Sequence, residues 1–323
     1  MKKHLLVAAC LGLALIACST KKYIRGTTDL KVDRTEARVA RGSYIVTSVA
    51  GCGVCHTGRE SGSLLNGEST NLYLAGGSTY VVPAMKASVY FPNITPDVET
   101  GIGGWTDDEI IRAIRDGVRK DGRLLFPMMP FGTFQYLSDE DVQSVVAYLR
   151  TVPAMKEPHP RTVTSVKGMG GFMLKHGVAH HTPVPHVAEP DKADKLAYGL
   201  YVTRMAQCGD CHSSGARGPR KMDDPLYFAG GEKDELAGVG TVYFRNLTPD
   251  METGLGKYTA EQIKQAMRSG TRLDGKKMAP PMSMMITHYA TMTDEYLDAI
   301  VGYLKSLKPV KNAVPERKLT PEA

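Results

Sequence analysis

The sequence predicts an all-α protein built from two tandem copies of one helical unit. Three observations lead there. Apolar residues recur at helical spacing behind recognisable helix starts, as in Ile110, Ile111, Ile114 and Val118 after Thr106-Asp107-Asp108-Glu109. No clear alternation of apolar and polar residues competes with that period. A series of short motifs in the first half returns in the same order in the second, which for a chain of 323 residues means two domains of one fold.

The chain starts with Met1-Lys2-Lys3, a basic end, and an apolar run from Leu5 to Ala17. That run is too short to span a bilayer and has the layout of a secretory signal. It closes on Leu15-Ile16-Ala17-Cys18, which resembles a bacterial lipobox. Residues 1–17 are therefore expected to be a lipoprotein signal peptide and Cys18 the lipidated mature N-terminus; a plain cleaved signal or an uncleaved anchor is the alternative. By resemblance to bacterial sorting rules, Ser19 favours the outer membrane, facing the periplasm. Residues 18–37 are polar, with Lys21, Lys22 and Arg25, and read as a tether.

The first domain is expected over 38–155. Residues 38–50 read as a short helix. Thr106 and Glu109 make a capping box, in which each side chain satisfies a free backbone donor at the other's position, and Gly117 is a plausible stop. A last helix starts at Ser138-Asp139-Glu140-Asp141 and carries Val142, Val145, Val146 and Leu149. The linker, 156–190, is rich in proline and is expected to lie over a surface. With the residues just before it, it holds His159, His176, His180, His181 and His186. Loop histidines are commonly solvated or hydrogen-bonded; metal binding or ligation of a cofactor's metal is the other reading. The second domain, 191–311, repeats the plan, with helices starting at Thr259-Ala260-Glu261-Gln262 and Thr293-Asp294-Glu295. The tail, 312–323, lacks a periodic apolar pattern and is expected to be dispensable.

The repeat is concrete. Leu72-Tyr73-Leu74-Ala75-Gly76-Gly77 answers Leu226-Tyr227-Phe228-Ala229-Gly230-Gly231, and Asn93-Ile94-Thr95-Pro96-Asp97 answers Asn246-Leu247-Thr248-Pro249-Asp250. Ahead of these stand Cys52-Gly53-Val54-Cys55-His56 and Cys208-Gly209-Asp210-Cys211-His212. Cys-x-x-Cys-His is the attachment signature of a c-type haem. Two thiols one helical turn apart reach the two vinyl groups on one porphyrin edge, and the next residue turns an imidazole toward the iron. A zinc half-site or a redox dithiol is the rival reading; two copies in matching contexts favour two covalently bound haem c groups. Of the six cysteines, Cys10 leaves with the signal, Cys18 takes lipid, and four attach haem, so none remains for a disulfide or a catalytic thiol. The formal charge of +6 drops to +4 without Lys2 and Lys3, and four propionates offset it, so nucleic acid is not indicated as a partner.

An iron held by one histidine needs an account of its other face. Pro127-Met128-Met129-Pro130 offers a thioether in the first copy, and Pro280-Pro281-Met282-Ser283-Met284-Met285 in the second. Asn93 to Met129 and Asn246 to Met282 are both 36 residues, which pairs Met129 with Met282; counting back from the terminal helices pairs Met129 with Met284 instead. The forward count, in which Pro-Met recurs, puts a two-residue insertion after Met282. Packing of the haem pocket is the other role open to these methionines.

Gly51-Cys52-Gly53-Val54-Cys55-His56-Thr57, Asn93-Ile94-Thr95-Pro96-Asp97, Ile114-Arg115-Asp116-Gly117, Met129-Pro130 and Tyr148-Leu149 resemble class I cytochrome c. More closely, the chain resembles the multi-haem cytochrome c subunits of bacterial membrane-bound alcohol and gluconate dehydrogenases. The resemblance covers 38–155 and 191–310 and implies two tandem class I cytochrome c domains. It also implies that the helix before each haem motif crosses the terminal helix through a glycine and an aromatic, here Gly42 with Tyr148 and Gly199 with Tyr303. Those subunits usually carry three haems, and here Met282 is followed by serine rather than proline. The function expected is a di-haem electron carrier, with His56/Met129 and His212/Met282 as iron ligands. It would pass electrons between redox partner proteins: a dehydrogenase, a quinol-oxidising complex or a terminal oxidase. A haem enzyme such as a di-haem peroxidase is the alternative; it needs an iron with an open face.

Overall fold

The computed structural model describes residues 25–65, 68–82, 86–164, 186–213 and 224–320. Residues 1–17, read from sequence as a signal peptide, Cys18, the start of the expected tether and His176, His180 and His181 lie outside the described residues. In the first unit, α1 (Glu36–Tyr44) runs into a π-helical turn (Ile45–Val49), and α2 (Cys52–His56) follows. Strands β1 (Thr79–Val82) and β2 (Ala87–Tyr90) precede α3 (Asp107–Asp116), α4 (Phe131–Phe134) and α5 (Asp139–Leu149), and β3 (Val163–Thr164) comes last. The second unit repeats the order: α6 (Lys195–Met205), α7 (Cys208–His212), β4 (Lys233–Leu236), β5 (Gly240–Tyr243), α8 (Ala260–Ser269), α9 (Met282–Tyr289), α10 (Asp294–Ser306) and β6 (Lys318–Leu319).

The all-α expectation is overturned by two small antiparallel sheets, ordered β1-β2-β3 and β4-β5-β6. Thr79 pairs with Tyr90 and Val82 with Ala87; Lys233 pairs with Tyr243 and Leu236 with Gly240. Strands of four residues or fewer are too short to establish a two-residue period. Their third strands also come from far along the chain, from the linker in one sheet and from the tail in the other. The tail is thus part of the second unit. Asn312 Nδ2 donates to the Ala229 and Gly230 carbonyls at 3.0 and 3.2 Å, and Thr320 N–H donates to Val239 O at 3.0 Å. The tether, too, is packed from Arg25 on: the guanidinium bonds Asp108 at 2.7 Å and Asp116 at 3.0 Å, and Val32 is buried.

Helix starts follow the local chemistry. Thr106 and Glu109 close one capping box at 3.1 and 2.8 Å, Thr259 and Gln262 the other at 3.2 and 2.9 Å. Gly117 and Gly270 end α3 and α8 in the left-handed region. Helices α1 and α5 cross so tightly that a Cβ on Gly42 would lie 1.8 Å from Ser144 O and 2.9 Å from Tyr148 Cβ. At the α6–α10 crossing, a Cβ on Gly199 would lie 2.6 Å from Ala299 O and 2.8 Å from Tyr303 Cβ.

One hydrophobic core runs through both units, from Ile45, Val46 and Val146 in the first to Val202, Leu297 and Ile300 in the second. Two reciprocal contacts mark an approximate two-fold relation. Thr293 N–H, at the start of α10, donates to Tyr44 Oη at 3.0 Å; Ser138 N–H, at the start of α5, donates to Tyr201 Oη at 3.0 Å. Each unit's first helix thereby satisfies a backbone donor at the start of the other's last helix.

Candidate haem sites

Each Cys-x-x-Cys-His segment forms a single helical turn, α2 or α7, entered through a residue in the left-handed conformation, Gly51 (φ 60°) or Gln207 (φ 59°). His56 Nδ1 hydrogen-bonds Pro92 O at 2.8 Å, and His212 Nδ1 hydrogen-bonds Arg245 O at 2.8 Å. This fixes the tautomer and leaves Nε2 as the nitrogen that could ligate a metal, the arrangement that metal-bound imidazoles favour. Burial lowers both imidazole pKa values and so favours the neutral, ligating form. Phe91 and Phe244 stand edge-on to the two rings at 6.2 and 6.1 Å.

The repeated Ala-Gly-Gly holds this geometry. Gly76 N–H donates to His56 O at 2.7 Å, and a Cβ there would lie 2.6 Å from the Pro92 carbonyl carbon. Gly230 does the same for His212 O at 2.8 Å, with Arg245 C at 2.5 Å. Only glycine, also at positive φ in both places, lets the segment that bonds the imidazole lie this close. His159, read from sequence as a possible ligand, has its Nε2 on Ala75 O at 2.6 Å, and His186 bonds Asp139 at 2.8 Å.

No disulfide joins the four motif cysteines, and burial pushes the thiols of Cys52, Cys55 and Cys208 up to about 12. Met129 and Met282 pack with Cys52 and Cys208 against the main core. Met128 and Met284 instead pack with Cys55 against a smaller cluster of Tyr80, Phe91, Leu236 and Val242. Backbone bonds fix the register on either side. Leu125 N–H donates to Gly117 O and Met278 N–H to Gly270 O, while Phe131 covers Gly117 and Ile286 covers Gly270. The two-residue insertion therefore lies between Met278 and Ile286. Its effect is to lengthen α4 into the two-turn α9.

These residues suit a haem by their donor set, two thiols and an oriented imidazole on one turn with a thioether segment nearby. The first unit suits it also by what it leaves unmet: Arg59 Nε and Arg119 Nε are buried without a hydrogen-bond partner, as cations awaiting a carboxylated group would be. When bound, haem supplies a one-electron iron couple; the chain supplies ligands, orientation and field.

Residues 197–308 match the family described as Cytochrome c, and residues 37–149 match that described as Cytochrome C oxidase, cbb3-type, subunit III. Each half of the chain thus carries a cytochrome c domain. The chain is 29% identical over 313 residues to the fructose dehydrogenase cytochrome subunit of Gluconobacter japonicus, covering 94% of this chain and 59% of that one. It is 31% identical over 299 residues to the alcohol dehydrogenase (quinone) cytochrome c subunit of Gluconobacter oxydans, covering 88% and 57%. It is 27% identical over 311 residues to a diheme cytochrome c-type of Cereibacter sphaeroides, covering 93% and 98%. The chain thus spans less than two thirds of the dehydrogenase subunits it matches.

Sequence reasoning missed the contacts that bring the two cytochrome c domains' haem motifs together. Gln207, just ahead of Cys208, donates from Nε2 to Ala50 O at 2.8 Å. Thr133 on α4 donates to Asp210, inside the second motif, at 2.6 Å. Its counterpart His288 on α9 bonds Thr47 O at 2.6 Å and lies with Met285 about the first motif, each 3.5 Å from where a Gly51 Cβ would be. Gln207 was the available signal: a long polar side chain where the first copy has Gly51, kept at positive φ because its amide reaches across.

Proposed function

We propose that the protein is a di-haem electron-transfer subunit, lipid-anchored through Cys18 on the periplasmic side of the outer membrane, that carries electrons from a dehydrogenase toward a terminal acceptor. Cys52 and Cys55 hold one haem and Cys208 and Cys211 the other, with His56/Met129 and His212/Met282 on the two irons. Thioether ligation stabilises ferrous iron, so both couples lie at positive potential and cycle without ligand exchange. The observation that carries the reading is the twice-built turn in which an imidazole's Nδ1 is held by a carbonyl beside two thiols. The dehydrogenase subunits among the relatives support the donor class, and the full-length diheme relative supports the haem count.

Pyridine haemochrome analysis tests the count: two covalent haems per chain are expected, and a chain holding zinc without haem refutes the proposal. Carbon monoxide tests the ligands. The ferrous protein is expected not to bind it, whereas Met129→Leu and Met282→Leu each open one iron and lower its potential; a single opening by Met284→Leu instead would reassign the second ligand. Mass spectrometry of the mature N-terminus is expected to find acylated Cys18, and a start elsewhere removes the anchor.

A further inference from the structure

The two domains carry opposite charges at one matched position. We infer that this pair, Arg161 and Glu316, orders the redox potentials, making the first domain the stronger electron acceptor, so that electrons pass from the second domain to the first. This rests on the reading that each domain holds one haem.

The terminal helices supply the match. Gly42 packs on Tyr148 and Gly199 on Tyr303, and thirteen residues beyond those tyrosines stand Arg161 and Glu316. The intervening backbone agrees. Asn93 Nδ2 donates to Met155 O and Asn246 Nδ2 to Val310 O, at 2.6 and 2.8 Å. Glu157 N–H donates to Thr100 Oγ1 and Asn312 N–H to Thr253 Oγ1, both at 3.0 Å. On the facing loop, Arg119 and Arg272 each lie two residues past the left-handed glycine that ends α3 or α8.

In the second domain Glu316 accepts from Arg272 at 3.1 and 3.2 Å and pairs with Arg245 at 2.8 Å. Arg272 also pairs with Asp274 at 2.7 Å. Arg245 is the residue whose carbonyl bonds His212, and Arg272 is on the loop leading to Met282. Glu316 thus joins the histidine side of the cleft to the methionine side. In the first domain Arg119 meets Asp121 at 3.8 Å, while Asp121 is bound by Arg123 at 2.5 Å. Burial of Arg119, with Arg123 and Arg161 beside it, works against its charge, and its Nε has no hydrogen-bond partner. Each loop arginine has an aspartate two residues on, but Glu316 is answered in the first domain by a second guanidinium, Arg161. Arg245, where the first domain has Pro92, returns one positive charge to the second. Arg119, Asp121, Arg123 and Arg161 therefore carry a formal +2 against +1 for Arg245, Arg272, Asp274, Lys276 and Glu316.

Ferric iron carries one more positive charge than ferrous, so a nearby cation favours the reduced form and an anion the oxidised form. With haem bound in each, the second domain would be the electron donor within the chain and the first the acceptor, one electron passing with no bond or proton changing place. Contact between the motifs at Gln207 and Ala50 provides the crossing. A reduced dehydrogenase or quinol-oxidising partner supplies the second domain, and an oxidised redox protein drains the first.

Potentiometric titration of the holoprotein, followed in the visible spectrum, tests this. Two waves are expected. Glu316→Gln should raise the lower wave and leave the upper in place; Arg161→Glu, at an exposed position that does not threaten folding, should lower the upper wave and leave the lower. Glu316→Gln acting on the upper wave, or neither substitution moving a wave in a protein that holds two haems, overturns the ordering while the cytochrome reading stands. A preparation without two covalent haems overturns both.

Discussion

Gly42→Ala adds a methyl where α1 and α5 cross. The new Cβ would sit 1.8 Å from Ser144 O, a backbone atom in mid-helix that cannot rotate away, and 2.9 Å from Tyr148 Cβ. Ordinary contact needs more than 3 Å, so the helices must part by over an ångström, loosening the packing of Ile45, Val46 and Val146, all fully buried. Overpacking of this kind costs ~3 kcal/mol, the upper end of the usual range because the obstacle is backbone. Alanine in place of glycine in a helix returns ~0.5–1 kcal/mol. The net loss of ~2 kcal/mol lowers the melting temperature by roughly 6–12 °C for a domain of this size. Gly302→Ala makes the same chemical change on α10, where nothing lies within 4 Å of the new atom, and should raise the melting temperature slightly. Thermal unfolding of both holoproteins by far-ultraviolet circular dichroism compares them. Should Gly42→Ala melt with Gly302→Ala, the close crossing that carries α1 into the haem motif is not there.

Tyr201→Phe removes the acceptor for Ser138 N–H and a donor to buried Asp141, and should cost about 1–3 kcal/mol in a urea titration; no loss would mean the interface bond is not made in solution. Ending the chain at Lys311 removes β6, Asn312 and Glu316, and should lower the melting temperature of the protein; an unchanged melt would restore the tail to a dispensable segment. Arg272, with Arg245, holds the Glu316 carboxyl at about 2, below its ordinary 4.5. A depressed carboxylate stabilises fully above 4.5 and loses that contribution as pH falls toward 2. The parent's advantage over Glu316→Gln should therefore shrink across that window, and by a modest amount because the group is half-exposed; an advantage constant with pH would mean the ion pairs contribute nothing.

The helical half of each domain was legible because its signals are local. Thr106, Glu109 and Gly117 sit within one helix, and their capping chemistry is complete in a dozen residues. The glycine–tyrosine crossings were legible only through resemblance, because nothing in the neighbourhood of Gly42 names Tyr148 as its contact. The sheets were not legible: Ser88 pairs with Val163 and Thr241 with Lys318, partners more than seventy residues away on segments with no period of their own. The contacts of tail and tether were hidden for the same reason. Glu316 and Arg25 look like solvated charges until the arginines and aspartates that face them are brought up from elsewhere in the chain.

The interface was hidden most thoroughly, although half of its logic is visible in the repeat. Two copies of one fold need not touch, and Tyr44 and Tyr201 look like ordinary core tyrosines. Each instead reaches across to the first backbone donor of the other domain's terminal helix. That choice places α4 on the second haem motif through Thr133 and α9 on the first through His288. Since α9 owes its second turn to the two-residue insertion, the departure that blurred the count between Met282 and Met284 is also what extends the second domain toward Gly51. The shorter α4 already reaches the other motif through Thr133, so what the longer α9 adds beside Gly51 is Met285. The asymmetry at the methionine loop is therefore tied to the joining of the domains, and deleting two residues between Met282 and Ile286 should loosen the interface before it disturbs either cytochrome fold.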